Sequence, residues 1–228
     1  MAINRRSFLA AAVALSGARP AGAVSERAFD VATPDGAPVR NFAIPHALAP
    51  SDLPGLSTHG PAAATTVLYE FFDYACSYCR NAAQELDVLL GPDAGFRLAL
   101  VHFPILSRPS AEAARIVLAA THLWGNEATY RLHKGLYETP GRPSAGKALD
   151  IASGLKMDAA ALSRAAASDE TSAILQAHMD RAHALALRYT PSFVLGDFAF
   201  VGWPGAETMQ SFLDASRACG GLACKDKP

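Results

Sequence analysis

The chain has 228 residues, enough for one good-sized domain or a domain carrying an insertion. Half of the residues are hydrophobic, 18% are charged and the formal net charge is −1, a balance that suits a soluble globular protein with a real core. No tract of five or more Lys/Arg occurs, which argues against nucleic acid or another polyanion as partner.

The N-terminus reads as a targeting segment. Arg5 and Arg6 precede an apolar run from Phe8 to Leu15, and Ala21-Gly22-Ala23 offers a small-x-small cleavage site. The apolar run is far too short to cross a bilayer core of about 30 Å. The order Arg5-Arg6-Ser7-Phe8-Leu9 is similar to a twin-arginine export signal, with an ordinary secretory signal as the alternative. Residues 1–23 are therefore expected to be a signal peptide, and the destination the periplasm. Their removal takes away Arg5, Arg6 and Arg19 and no acid, moving the charge from −1 to −4. No other segment is apolar for 18 residues without a charge, so no membrane span is predicted.

Residues 24–63 are rich in Pro, Ala, Gly and Ser and carry no sustained period, which predicts an extended arm with room for a short strand, not a separate domain. Residues 65–72, β-branched and aromatic, predict a buried strand. A helix should follow over residues 76–90 and stop near Gly91-Pro92. A second strand is predicted over 96–103, ended by Pro104. Alanine-rich helical sequence then begins at Ser110, a candidate N-cap, and continues over 126–138, 144–155, 158–167 and 170–188, with breaks at Gly125, Pro140-Gly141, Pro143 and Asp158. Apolar runs 192–195 and 198–201 flank Gly196-Asp197, a hairpin signal. A last helix is predicted over 205–218. The order fits a βαβ unit and a ββα unit joined by a helical insertion, an α/β fold.

The four cysteines fall in two close pairs, Cys76/Cys79 and Cys219/Cys224. Together they could ligate zinc, but a zinc ribbon sets its halves roughly 15–20 residues apart, and 139 residues separate Cys79 from Cys219. A purely structural Cys76–Cys79 bridge closes too short a loop to constrain the unfolded chain much. The third reading is a redox pair. Cys76 would lie at the N-terminal end of a helix, where unpaired N–H groups and the helix dipole favour an anion and lower the thiol pKa. Cys79, one turn inside, would be shielded and placed to close the ring. Cys76 is then the attacking, solvent-facing thiol and Cys79 the resolving one. Cys219 and Cys224 read as a structural staple on the tail, residues 219–228, with a second redox pair as the alternative, one that lacks a helix beginning after Cys219.

The segment Glu70-Phe71-Phe72-Asp73-Tyr74-Ala75-Cys76-Ser77-Tyr78-Cys79 resembles the active-site segment of the DsbA family of thiol–disulfide oxidoreductases. Arg188-Tyr189-Thr190-Pro191-Ser192-Phe193-Val194 resembles that family's cis-proline loop, and Phe103-Pro104-Ile105-Leu106 the start of its helical insertion. The likeness covers residues 64–218 and implies a thioredoxin-like fold with a helical insertion over about 108–188. It also implies that Thr190-Pro191 is cis, packs against the cysteine pair and, with Ser77 and Tyr78, meets the substrate. Glu70 matches an acidic position that assists proton transfer from the resolving thiol; otherwise it is a strand-end charge reaching solvent. One departure stands out. Strongly oxidising members usually carry Pro-His between the cysteines, whereas Ser77-Tyr78 supplies less help to a thiolate, so a less oxidising pair is expected. Thr before the proline also occurs in related isomerases and reductases.

The expected function is disulfide formation in secreted proteins by exchange through Cys76 and Cys79, with a membrane redox partner of the DsbB or DsbD type and no cofactor or metal. A disulfide isomerase or reductase of the same fold is the alternative, as is a copper-tolerance protein holding Cu(I) on its thiolates. The four methionines are dispersed, and no Met- or His-rich stretch supports the copper reading. The seven histidines read as surface or packing residues, with His102 a candidate for contact near the site, and Trp124 and Trp203 as core or groove residues.

Overall fold

The structure is a computed structural model describing residues 27–224; the expected signal segment, residues 1–23, lies outside the described residues. Six strands form one sheet in the order β1-β6-β5-β3-β4-β2. At its centre are β3 (Thr66–Phe72), paired in parallel with β4 (Phe96–His102), and the hairpin of β5 (Ser192–Leu195) and β6 (Phe198–Val201). The turn of that hairpin falls at Gly196, whose φ of 57° places it in the left-handed region. β5 lies antiparallel against β3, with Glu70 opposite Phe193 and Phe71 opposite Ser192.

The segment preceding β3, expected as an extended arm, instead carries two strands separated by two short 3-10 turns (His46–Leu48 and Pro50–Asp52) and closes both edges of the sheet. β1 (Arg40–Ala43) pairs with β6, and β2 (Ser57–His59) pairs with β4. Both strands are short and local pattern does not mark them; their partners across the sheet make them strands.

Side chains of a strand alternate between faces, and this alternation divides the core. Leu68, Phe72, Leu98, Leu100, Phe193 and Phe200 turn to one face. They meet Ala82 and Leu86 of α1 (Ser77–Leu89) and Met209, Phe212 and Leu213 of α6 (Ala206–Cys219). Phe71, Val101, Val194 and Ala199 turn to the other, where Ala182, Leu185 and Leu187 cover them together with Phe42 and Leu53 of the leading segment. Between β4 and β5 stand α2 (Arg108–Glu138), α3 (Ala145–Gly154) and α4 (Ala159–Ala166), packed onto the first core, and α5 (Asp169–Ala184), whose Leu175 borders that core while Ala182 belongs to the second. Gly125 breaks α2, with φ 77° and ψ −170°. Among the described residues no helix is long and apolar enough to cross a membrane.

Several helix ends differ from expectation for local reasons. Ser107, not Ser110, caps α2: its hydroxyl accepts from the Ser110 N–H at 3.2 Å, and Pro109 sits in the first turn, where its missing N–H costs nothing. α5 stops at Ala184 rather than running to 188, because Ala186 adopts φ 55° and the Leu187 N–H returns to the Ala182 carbonyl. Lys156 does the same after α3, with φ 67°. Both ends are Schellman turns, usually built on glycine.

Candidate active site

The site lies where the C-terminal end of β3 runs into α1. Asp73-Tyr74-Ala75 turns the chain there, with the Cys76 N–H donating to the Asp73 carbonyl at 3.0 Å. Cys76 is the N-cap of α1: its backbone is extended, and its sulfur accepts from the Cys79 N–H at 3.4 Å. A sulfur thus takes the place of the usual capping oxygen. Both cysteines carry free thiols.

Burial separates the two sulfurs. Cys79 is fully enclosed, and burial, the first cause, pushes its thiol far above the ordinary value, with the charges of Glu70 and Cys76 adding to the effect. Cys76 is 6% exposed, less open than the solvent-facing thiol expected, and it lines a surface cleft of about 470 Å³. Its thiol is lowered from an ordinary 9.0 to about 6. The largest cause is the Cys79 thiol donating to the thiolate, opposed by burial and reinforced by Thr190 and by the N–H groups of Cys79 and Tyr78.

Thr190 precedes a cis peptide bond to Pro191, and its carbonyl lies 3.2 Å from the Cys76 sulfur, an acceptor for the thiol. The buried Thr190 hydroxyl has no other partner and can turn onto the sulfur once it is a thiolate. The loop is held in place by the Ser192 hydroxyl on the Tyr189 carbonyl at 2.7 Å and the Gly202 N–H on the Pro191 carbonyl at 2.9 Å. Ser77 is exposed, and Tyr78 (68%), Tyr189 (61%) and Leu106 (55%) present exposed apolar surface.

Glu70 does not reach solvent. Alternation along β3 turns it inward with Leu68 and Phe72, and both carboxyl oxygens are buried without a hydrogen-bond partner. Burial, with the Cys76 charge second, raises its pKa to about 8, so the carboxyl is protonated at neutral pH.

A cluster not anticipated from sequence lies beside it. The Tyr74 hydroxyl and His133 Nδ1 are hydrogen-bonded at 3.2 Å, and both rings pack on Phe72. His102 is buried 4.9 Å from the Phe72 ring, its Nδ1 unpartnered. His178 is fixed as a neutral ring: Nδ1 accepts from the His102 N–H at 3.1 Å and Nε2 donates to the Pro54 carbonyl at 2.8 Å. Burial lowers the pKa of His133 to about 3 and of His178 to about 4. Three residues far apart in sequence on three elements give no local motif. Among the described residues, no three His, Cys, Asp or Glu side chains form a group that could hold a metal ion.

Asp73 was also hidden as a separate element of the site. Its carboxylate accepts from the Ala75 N–H and, across to the start of the helical insertion, from the Leu106 N–H, both at 2.7 Å. The Tyr137 hydroxyl donates to its carbonyl at 3.2 Å. Cys219 and Cys224 form a disulfide at the end of α6, around the buried Leu222.

The chain matches the family described as the DSBA-like thioredoxin domain over residues 67–216. Among solved structures, a thioredoxin-like oxidoreductase from Silicibacter pomeroyi DSS-3 is 32% identical, with 73% of this chain covering 94% of that one and a TM-score of 0.67. The thiol-disulfide exchange protein alpha-DsbA2 from Wolbachia pipientis is 22% identical, with 69% and 85% covered and a TM-score of 0.64. The catalytic domain of Proteus mirabilis ScsC is 20% identical, with 74% and 92% covered and a TM-score of 0.64. The last two are likenesses of fold. No curated protein matches the sequence.

Asp73→Ala would leave two N–H groups of the site without their acceptor. Denaturant titration should show a loss of about 2–3 kcal/mol, and a variant as stable as the parent would mean that the carboxylate does not hold the two loops together.

Proposed function

This chain belongs to the DSBA-like thioredoxin domain family, and we propose that it is an exported oxidoreductase that forms disulfides in secreted proteins through Cys76 and Cys79. The observation that carries this reading is the split between the two sulfurs, one held as a thiolate at a helix N-terminus and the other buried as a thiol. Residues 1–23 support export, by the twin-arginine route, to the periplasm.

In the oxidised protein a substrate thiolate attacks Cys76, forming a mixed disulfide and releasing the Cys79 sulfur. That sulfur takes up a proton, because burial forbids a lasting thiolate there. Glu70, protonated at neutral pH, supplies the proton. The substrate's second thiolate then attacks its own bridged sulfur, and Cys76 leaves as a thiolate stabilised by the α1 N-terminus. Two substrate thiols have become one disulfide, and the two electrons rest on Cys76 and Cys79. A membrane partner of the DsbB type removes them; in the reducing direction a DsbD-type partner would supply them. Thr190, Pro191, Ser77 and Tyr78 border the sulfur and are proposed to receive the substrate backbone.

The oxidised protein should transfer its disulfide to a reduced, unfolded two-cysteine protein, and Cys79→Ala should accumulate the mixed disulfide at Cys76. Failure of both would overturn the reading. A reduction potential between about −120 and −230 mV is expected, less oxidising than Pro-His members.

Glu70 yields a separate prediction. Its folded pKa is raised, so as pH climbs from 4.5 to about 8 the unfolded chain ionises while the folded one holds its proton, and stability falls across that window. Glu70→Gln removes this loss, so the variant's stability relative to the parent should rise from pH 4.5 to 8. Its attack step should be slowed by about a hundredfold at neutral pH. Unchanged kinetics would remove Glu70 from the proton path.

A further inference from the structure

The cleft that opens onto Cys76 has a one-sided charge. Its lining includes Cys76, Ser77, Leu106, Ser107, Arg80 and Arg142, and no acidic residue takes part. Two helices begin there, α1 capped by Cys76 and α2 capped by Ser107, so two dipoles present their positive ends to the same space.

The arginines are held by the fold. Arg80 donates to the Tyr137 carbonyl, which fixes its guanidinium near the mouth. Arg142 is exposed and makes no hydrogen bond or ion pair among the described residues. Its loop is tied down by Lys147, whose ammonium donates to the carbonyls of Leu136 at 3.3 Å, Thr139, and Gly141 at 3.2 Å. Arg188, two residues before Thr190, leads into the cis-proline loop and is exposed without a partner. Three carboxyls on neighbouring elements are committed, and Glu138, which is exposed beside Tyr137, lies outside the cleft lining. Asp73 is buried on two N–H groups, Glu70 lies beneath the helix, and Glu112 pairs with Arg108 at 3.2 Å. A chain with a slight excess of acid overall thus lines the cleft at its reactive sulfur with two arginines and no acid. The Cys76 thiolate accounts for one negative charge and leaves Arg142 and Arg188 unmatched.

We propose that the cleft selects substrates whose cysteine is flanked by acidic residues, the carboxylates of an extended peptide lying against Arg142 and Arg80 while its sulfur reaches Cys76. This rests on the exchange reading above and adds a substrate class to it. Steering by the field raises the encounter rate, and contact with Arg142 sets the register of the peptide.

The test uses the oxidised full chain and three reduced two-cysteine peptides, alike except for Asp/Glu, Gln or Lys beside the first cysteine. Exchange rates are measured at low ionic strength and normalised to each peptide's rate with an uncharged small disulfide, which removes differences in thiol pKa. The acidic peptide should react about tenfold faster than the lysine peptide, and the ratio should collapse in about 1 M salt, where screening falls to about 3 Å. Arg142→Glu should lower the ratio strongly, while Arg131→Glu, the same charge change on an exposed residue outside the cleft, should leave it in place. Equal rates for all three peptides would overturn the selectivity and leave disulfide exchange standing. A ratio shifted equally by both variants would overturn the assignment to the cleft. No exchange with any peptide would remove the underlying reading as well.

Discussion

The site depends on a sulfur in the position of a helix cap. An N-cap side chain must accept a hydrogen bond from the first turn and is best placed to carry negative charge. Cys76 meets both needs only as a thiolate, so the helix and the chemistry favour the same ionisation state. The mature active site then needs little else: a neighbour that donates to the sulfur, a loop against its open side and a second sulfur that stays neutral. Cys79 supplies the first and third, and the Thr190-Pro191 loop the second.

The sheet order makes that arrangement possible. β3 is central, so its C-terminal end delivers Cys76 while its neighbour β5 delivers the proline loop and β4 leads into the helical insertion. Asp73 ties the first and third of these together through two backbone N–H groups. The same alternation that packs Leu68 and Phe72 beneath α1 buries Glu70 between them. A core designed only for stability would place an apolar residue there, since an unpartnered buried carboxyl is costly. That cost is in keeping with the proton-transfer role proposed for Glu70.

Much of this was legible from the chain itself. The buried run before the cysteines, the helix after them and the hairpin at Gly196-Asp197 each carry a strong local pattern, and their bounds fall within a residue or two of the structure. The cysteine pair and Glu70 were legible as types in a motif. What local pattern could not reveal was set by distant partners. β1 and β2 are strands because edges of the sheet were open to them. Ala186 and Lys156 end helices in a conformation usually signalled by glycine. His102, His133 and His178 assemble from a strand and two helices, and Asp73 draws its importance from Leu106, 33 residues away.

The most direct test is the ionisation of Cys76 in the reduced protein, followed by thiolate absorbance across pH 3–10 with Cys76→Ser as the blank. A single sulfur titrating near pH 6, with Cys79 silent throughout, is the predicted result. A Cys76 that ionises only near pH 9, like an ordinary thiol, would contradict the claim that the helix cap holds it charged.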